Sequence, residues 1–271
     1  MKISFIVYRS SPIDAIRYFS SNKSKKTQMY ACLCNMKGLV YLKLGMLNEA
    51  ISYHQQTVEQ PSESCEIQAV QFRAYLTLGS SFYTLGQYEE SYSHFNQSLK
   101  SKDYVVLCKS LHGMGNVCIR LGNLDKALQH YLESLHLKRQ KRGYRSPATA
   151  CTLFNLGQVC RKLGRFEESL AHFDDLLHLH AGTLSEKNLQ EAMAMIEKAK
   201  TLSKKNDFEN AHRLYEDVLN MLSELKSPKA KKLRDDVDAR MESASHAYES
   251  NVESLLGHAE EESVLWSDGD S

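Results

Sequence analysis

Residues 114–122 read MGNVCIRLG and residues 156–164 read LGQVCRKLG. The same outline returns as LGSSFYTLG at 78–86 and KGLVYLKLG at 37–45. Each stretch carries two glycines seven residues apart. Two residues after each second glycine stands Leu47, Tyr88, Leu124 or Phe166. Three further on comes a small residue, Ala50, Ser91, Ala127 or Ser169, and four beyond that a ring, His54, Phe95, Tyr131 or Phe173. Internal repetition at this period is the sequence signature of stacked supersecondary units.

The physics of the pattern is specific. A glycine inside a helix lets a second helix approach closely. The second glycine ends the first helix, because only a residue without Cβ takes the left-handed C-cap conformation at no steric cost. The small residue and the ring four positions later share one face of the next helix, so one makes room and the other fills it. A single hairpin of this kind leaves its apolar face uncovered, and copies must stack.

These residues resemble the tetratricopeptide repeat (TPR). Four units match, near 31–64, 72–105, 108–141 and 150–183, and a fifth covers about 192–225, where Ala199 stands for the first glycine, Asn206 for the second, and Phe208, Ala211 and Tyr215 hold the register. The resemblance implies an all-α solenoid, a right-handed superhelix of antiparallel helix pairs closed by a C-terminal capping helix. Equivalent glycine positions lie 41, 36, 42 and 42 residues apart, longer than the usual 34. That spacing resembles the LGN/Pins, rapsyn and kinesin light chain type. Charged stretches such as SLHLKRQKRGYRS (134–146) supply the extra length.

The expected organisation follows. Residues 1–28 form a partial repeat or N-terminal helix, since PIDAIRYF at 12–19 places Ala15 and Phe19 like an orphan second helix. This reads either as a divergent cap or as a truncated or alternative product. Residues 29–227 hold about five repeats. Residues 228–257 form a capping helix, with Leu233, Val237, Met241, Ala244, Tyr248, Val252 and Leu255 on one stripe; coiled-coil pairing is its alternative use. Residues 258–271 are an acidic, disordered tail.

Composition removes other classes. With 4 Pro and 13 Gly in 271 residues, the composition argues against a loop-rich β protein. The net charge of +1 gives no global pull toward nucleic acid or membrane. It hides an asymmetry: the tail carries five acids and no Lys or Arg, which leaves 34 basic against 28 acidic residues, or +6, in the rest. Apolar runs are too short to span a bilayer, and the opening MKISFIVYRSS lacks a signal-peptide core. The expectation is a cytoplasmic protein, with cytoskeletal association open. Seven cysteines fall into neither disulfide nor zinc spacing.

The chemistry-bearing candidates are weak. Gly113-Met-Gly115 lacks the third glycine and the preceding strand of a dinucleotide fingerprint. No nucleophile elbow, metalloprotease or kinase pattern is present, so no enzyme, cofactor or metal is expected. Cys118 and Cys160 share one repeat position and read as small buried hydrophobes. His94, His130 and His172 share another and read as a tolerated semi-exposed position. Basic runs at 138–145 and 229–234 lack interleaved aromatics and read as solvated helix ends rather than an RNA surface.

The resemblance implies a concave groove lined by the first helices. Its lining positions include Asn116, Arg120, Asn155, Gln158, Arg161, Lys162, Lys200 and Lys204. Amides pair with an extended peptide backbone, and the cations suit carboxylates or phosphates. Asn116 and Asn155 stand where the chaperone-tail carboxylate clamp has its asparagines, but His112, Met193 and Glu197 occupy its basic positions, which disfavours that ligand. The expected function is therefore an adaptor holding an acidic or phosphorylated protein segment. The alternative is an oligomerising structural subunit of a cytoskeletal, ciliary or trafficking assembly.

SVLWSDGDS (263–271) carries the only Trp; Leu265, Trp266 and Asp268 form a possible short motif. It resembles the Trp-plus-acid peptides of kinesin light chain, with Leu265 where an acid is usual, and it is a candidate for docking in the chain's own basic groove. Tethering supplies an effective concentration of about 1 mM, so an affinity near ~100 μM leaves the tail about 90% docked. Removing 258–271 should then tighten partner binding by up to about tenfold in a calorimetric titration; an unchanged affinity rejects tail docking.

Overall fold

A computed structural model describes residues 23–62, 64–142, 146–180, 187–223, 225 and 227–243, and among these all regular structure is helical. The chain divides into two compact units, Met1–Lys141 and Arg142–Ser271. The first contains α1 (Lys23–Lys43), α2 (Leu47–Val58), α3 (Cys65–Thr84), α4 (Tyr88–Ser98), α5 (Tyr104–Arg120) and nearly all of α6 (Leu124–Arg142). The second contains α7 (Pro147–Lys162), α8 (Phe166–His180), α9 (Lys187–Lys204), α10 (Phe208–Ser223) and a further helix over 228–243. The PIDAIRYF stretch, Ala244, Tyr248, Val252, Leu255 and the acidic tail lie outside the described residues.

One turn recurs five times. Gly45, Gly86, Gly122 and Gly164 sit at φ of 76°, 78°, 77° and 76°, and Asn206 takes the same place at 67°. At Gly122 its own N–H donates to Ile119 O (3.1 Å) and the following Asn123 N–H donates to Cys118 O (2.8 Å). These are the two hydrogen bonds of a Schellman cap. The pair repeats at Gly45, Gly86, Gly164 and Asn206. A Cβ at any of the four glycines would meet nothing within 4 Å, so glycine is required there by backbone conformation and not by space.

The other glycines are required by space. A Cβ on Gly157 would fall 2.5 Å from Phe173 Cζ, one on Gly115 2.6 Å from Tyr131 Cε1, one on Gly79 2.7 Å from Phe95 Cδ1, and one on Gly38 2.6 Å from His54 Nε2. The ring of each second helix thus lies on the bare backbone of its first helix. Where the small residue is serine, its hydroxyl donates to that same glycine's carbonyl: Ser91 to Gly79 O (2.6 Å) and Ser169 to Gly157 O (2.7 Å). First-helix starts are capped by side chains, Ser64 on Ile67 N–H, Asp103 on Val105 N–H and Ser146 on Thr149 N–H. The extra residues of the long repeats go into helix: α3 has 20 residues, and α6 runs to Arg142.

In the first unit α1 is apolar on two sides. Ala31 and Cys34 are buried, whereas Tyr30, Leu33, Met36, Val40 and Leu44 are 46–66% exposed and share one stripe. In the second unit Ile196, Ala199, Tyr215, Val218 and Leu222 form a core that also takes Ala230 and Val237 of the last helix. That helix opens with Ser227 capping Ala230 N–H and Pro228 in its first turn. Its Arg234 donates to Leu222 O (2.9 Å), covering a free carbonyl at the end of α10.

His54 is fully buried, and neither ring nitrogen has a partner among the described residues. Burial lowers its pKa to about 4; burial, then the Lys138 charge, does the same to His112. Below about pH 6.5 the unfolded chain takes up protons that these native rings refuse, so stability is full above that pH and falls toward pH 4. For His54 the loss at about pH 5 is about 2 kcal/mol. His54→Phe, which installs the ring used at the equivalent sites, should raise the urea midpoint and flatten its drop between about pH 7.5 and 5; an undiminished drop refutes this assignment.

The two glycine classes should also separate on mutation. Gly122→Ala costs about 1–2 kcal/mol through its left-handed backbone, and Asn206→Gly should gain up to about 1 kcal/mol. Gly115→Ala costs about 1–3 kcal/mol by overpacking Tyr131. Only the last should be partly rescued by Tyr131→Leu, read by denaturant midpoints.

Candidate functional site

In the first unit two of the expected groove residues lie on α5. The Asn116 side-chain carbonyl accepts a hydrogen bond from the Tyr131 hydroxyl, which ties it to the ring that packs on Gly115. Arg120 is exposed; its Nε donates to the Tyr88 hydroxyl (2.8 Å), and its guanidinium lies 5.3 Å from the Tyr88 ring centre.

The second unit brings cations together. Arg161 at the end of α7 donates to Glu197 Oε2 of α9 (2.6 Å), and Lys200 donates to Glu197 Oε1 (2.7 Å). Their side chains are only 19%, 10% and 17% exposed for Arg161, Glu197 and Lys200, so solvent screens this triad weakly. Glu197 can be buried because both its oxygens are held by charge-assisted bonds. An open pocket of about 510 Å³ lies beside the triad. Arg161, Lys200 and Lys204 line it, with Phe208 and Tyr215 of α10 and Arg240 of the last helix. Arg240 donates through Nε to Asp236 Oδ2 (2.9 Å), and that bond holds the Asp236 carboxyl below its usual range. Burial pushes the Tyr215 phenol up, against the pull of the Arg240 charge.

Four cations, Arg161, Lys200, Lys204 and Arg240, therefore meet two carboxylates, Glu197 and Asp236, and two positive charges remain in excess. Lys204 is exposed and has no charged partner among the described residues. Of the eight expected residues, Arg161, Lys200 and Lys204 line this pocket; Asn155, Gln158 and Lys162 are on the same α7 helix as Arg161 but do not. Arg240 and Tyr215 were missed. The i,i+4 spacing of Asp236 and Arg240 is a visible sign of a helical pair, but nothing in the sequence says that its helix folds back beside α9.

The remaining candidates resolve structurally. Cys118 and Cys160 are buried, and burial raises the Cys160 thiol to about 11; all seven cysteines are free thiols. His94 stacks on Phe82 with centres 5.0 Å apart, and His130 Nε2 pairs with the Tyr92 hydroxyl (3.1 Å); both histidines, like His172, are half-buried, as expected of a semi-exposed repeat position. Burial lowers both histidine pKa values. Among the described residues no group of three His, Cys, Asp or Glu is placed to hold a metal ion, and no helix is long and apolar enough to cross a membrane. Leu265, Trp266 and Asp268 lie outside the described residues.

Sequence profiles described as tetratricopeptide repeat match residues 106–180 and 159–224, and a second such profile matches 33–59 and 72–103, together more than half of the chain. No curated protein matches it. Solved structures share the fold at low identity. BtubC (BKLC) from P. vanneervenii is 13% identical, with TM-score 0.63, over 78% of this chain and 87% of that one. A Podosopora anserina putative kinesin light chain with nearly identical TPR-like repeats is 15% identical, with TM-score 0.57, over 72% and 96%. MamA from Desulfovibrio magneticus RS-1 is 15% identical, with TM-score 0.57, over 73% and 98%. Profile matches spread over both units, on helix pairs whose caps and ring contacts repeat position by position, make this chain a member of the tetratricopeptide-repeat family.

Proposed function

We propose that this protein is an adaptor that grips an extended acidic segment of another protein on the first helices of its second unit. A tetratricopeptide-repeat fold is a protein-interaction scaffold in general. The observation that carries the acidic specificity is the two-charge excess around the pocket of Arg161, Lys200, Lys204 and Arg240. Asn155 and Gln158, one or two turns before Arg161 on α7, carry amides, a group that can pair with a peptide backbone.

A second reading is favoured by the exposed stripe of Tyr30, Leu33, Met36 and Val40 on α1, continued by Leu44 just after it. Large apolar side chains at helical spacing suit a partner helix, and a second copy of this chain is the partner this reading names. Light scattering across a range of concentrations separates the two readings: a mass that doubles with concentration and reverts with Leu33→Glu/Val40→Glu supports self-association.

The adaptor reading is tested by affinity capture from cell lysate followed by mass spectrometry, using the full chain and Lys162→Glu/Lys204→Glu. Both lysines are exposed, so circular dichroism should be unchanged. Specific partners should be lost with the variant and released from the native chain as salt rises from about 50 to about 500 mM, where the screening length shrinks below the reach of exposed pairs. Partners captured equally by both proteins would reject a basic groove.

A further inference from the structure

We infer that the pocket between α7, α9, α10 and the helix over 228–243 receives a phosphate dianion on a serine or threonine side chain of the bound segment. The inference rests on the adaptor reading and narrows it from acidic segments to phosphorylated ones.

The groups facing the pocket set this chemistry. From α7 comes Arg161, from α9 Lys200, Ser203 and Lys204, from α10 Phe208 and Tyr215, and from the last helix Arg240 and Ser243. Glu197 and Asp236 stand behind Arg161, Lys200 and Arg240 as their counter-ions. The uncompensated charge of two matches a phosphomonoester, which carries about −1.5 to −2 near neutral pH; a single carboxylate leaves one positive charge unmet. Donors are available for three oxygens. Asp236 occupies only Nε of Arg240, and the two Nη groups have no partner among the described residues. Lys204 has no partner there either, and the Ser243 hydroxyl is exposed. A planar guanidinium beside a lysine is the arrangement that grips phosphate oxygens in parallel.

Glu197 is the internal precedent. The Arg161 and Lys200 nitrogens already hold its two oxygens at 2.6 and 2.7 Å in a setting shielded from solvent. The pocket therefore stabilises oxyanions: Glu197 leaves one net positive charge on Arg161 and Lys200, whose Arg161 Nε is buried without a partner, and Asp236 leaves one on Lys204 and Arg240. Phe208 supplies an apolar wall for the aliphatic part of the modified side chain.

The test is an amide-resolved NMR titration of the full chain with N-acetyl-O-phosphoserine methylamide and, separately, with its aspartate analogue. The phosphate probe should shift signals around 200–208 and 240–243, and bind at least about tenfold tighter than the aspartate probe. Its affinity should rise between about pH 5 and pH 7.5, as the second phosphate proton leaves near pH 6. Lys204→Gln/Arg240→Gln should weaken it by at least about tenfold, with partial rescue in Lys204→Gln/Arg240→Lys. Equal binding of both probes at this pocket overturns the phosphate inference and leaves the acidic-segment reading standing. Diffuse shifts with no pH step, or indifference to the double variant, overturn it as well. A normal phosphate response in a chain whose captured partners ignore Lys162→Glu/Lys204→Glu would instead retain the pocket and reject the adaptor groove.

Discussion

An aromatic ring packed against the bare backbone of a glycine is the contact from which the rest of this architecture follows. Phe173 on Gly157, Tyr131 on Gly115 and Phe95 on Gly79 fix how closely the two helices of each pair approach. That distance leaves room for nothing larger than Ala or Ser one turn earlier on the second helix. Serine there is tolerated because its hydroxyl reaches the carbonyl of the same glycine, so the buried polar atom is satisfied. The left-handed cap is the second half of the device. It reverses the chain within two residues and delivers the ring to the glycine at a constant offset of 16 residues, as from Gly79 to Phe95 or Gly157 to Phe173. Since both contacts sit near the turn, extra residues accumulate at the far ends of the helices without disturbing them.

His54 shows what the device tolerates. An imidazole takes the ring position on Gly38 with two nitrogens buried and unpaired, a cost that phenyl or phenol rings avoid. The first repeat is thus the least well matched of the described pairs. It also carries the helix with apolar side chains facing outward, so packing quality declines toward that end of the described chain.

The polar chemistry is concentrated at the other end. Burying Arg161, Glu197 and Lys200 together contributes little net stability, because desolvation offsets much of the attraction. Its structural value is orientation: the triad links α7 to α9 across 36 residues and holds two cations at a defined place. The last helix completes the arrangement. It covers the core with Ala230 and Val237 and contributes Arg240, so one element both packs on the second unit's core and adds charge to the pocket.

The sequence by itself determined the repeat, its register and its turns. Glycine spacing, small residues and rings are local requirements of backbone conformation and close packing, and they are written at every copy; even Asn206 could be placed as a left-handed cap because Asn is the residue that best tolerates that conformation after glycine. Arg161, Lys200 and Lys204 were legible as a basic surface for the same reason: repeat position dictates helix face. Only the tertiary structure decided which charges are spent on one another. Glu197 lies 36 residues from Arg161, and Asn116 is claimed by Tyr131. Such pairings depend on distances between the side chains of different helices, and no local propensity encodes them.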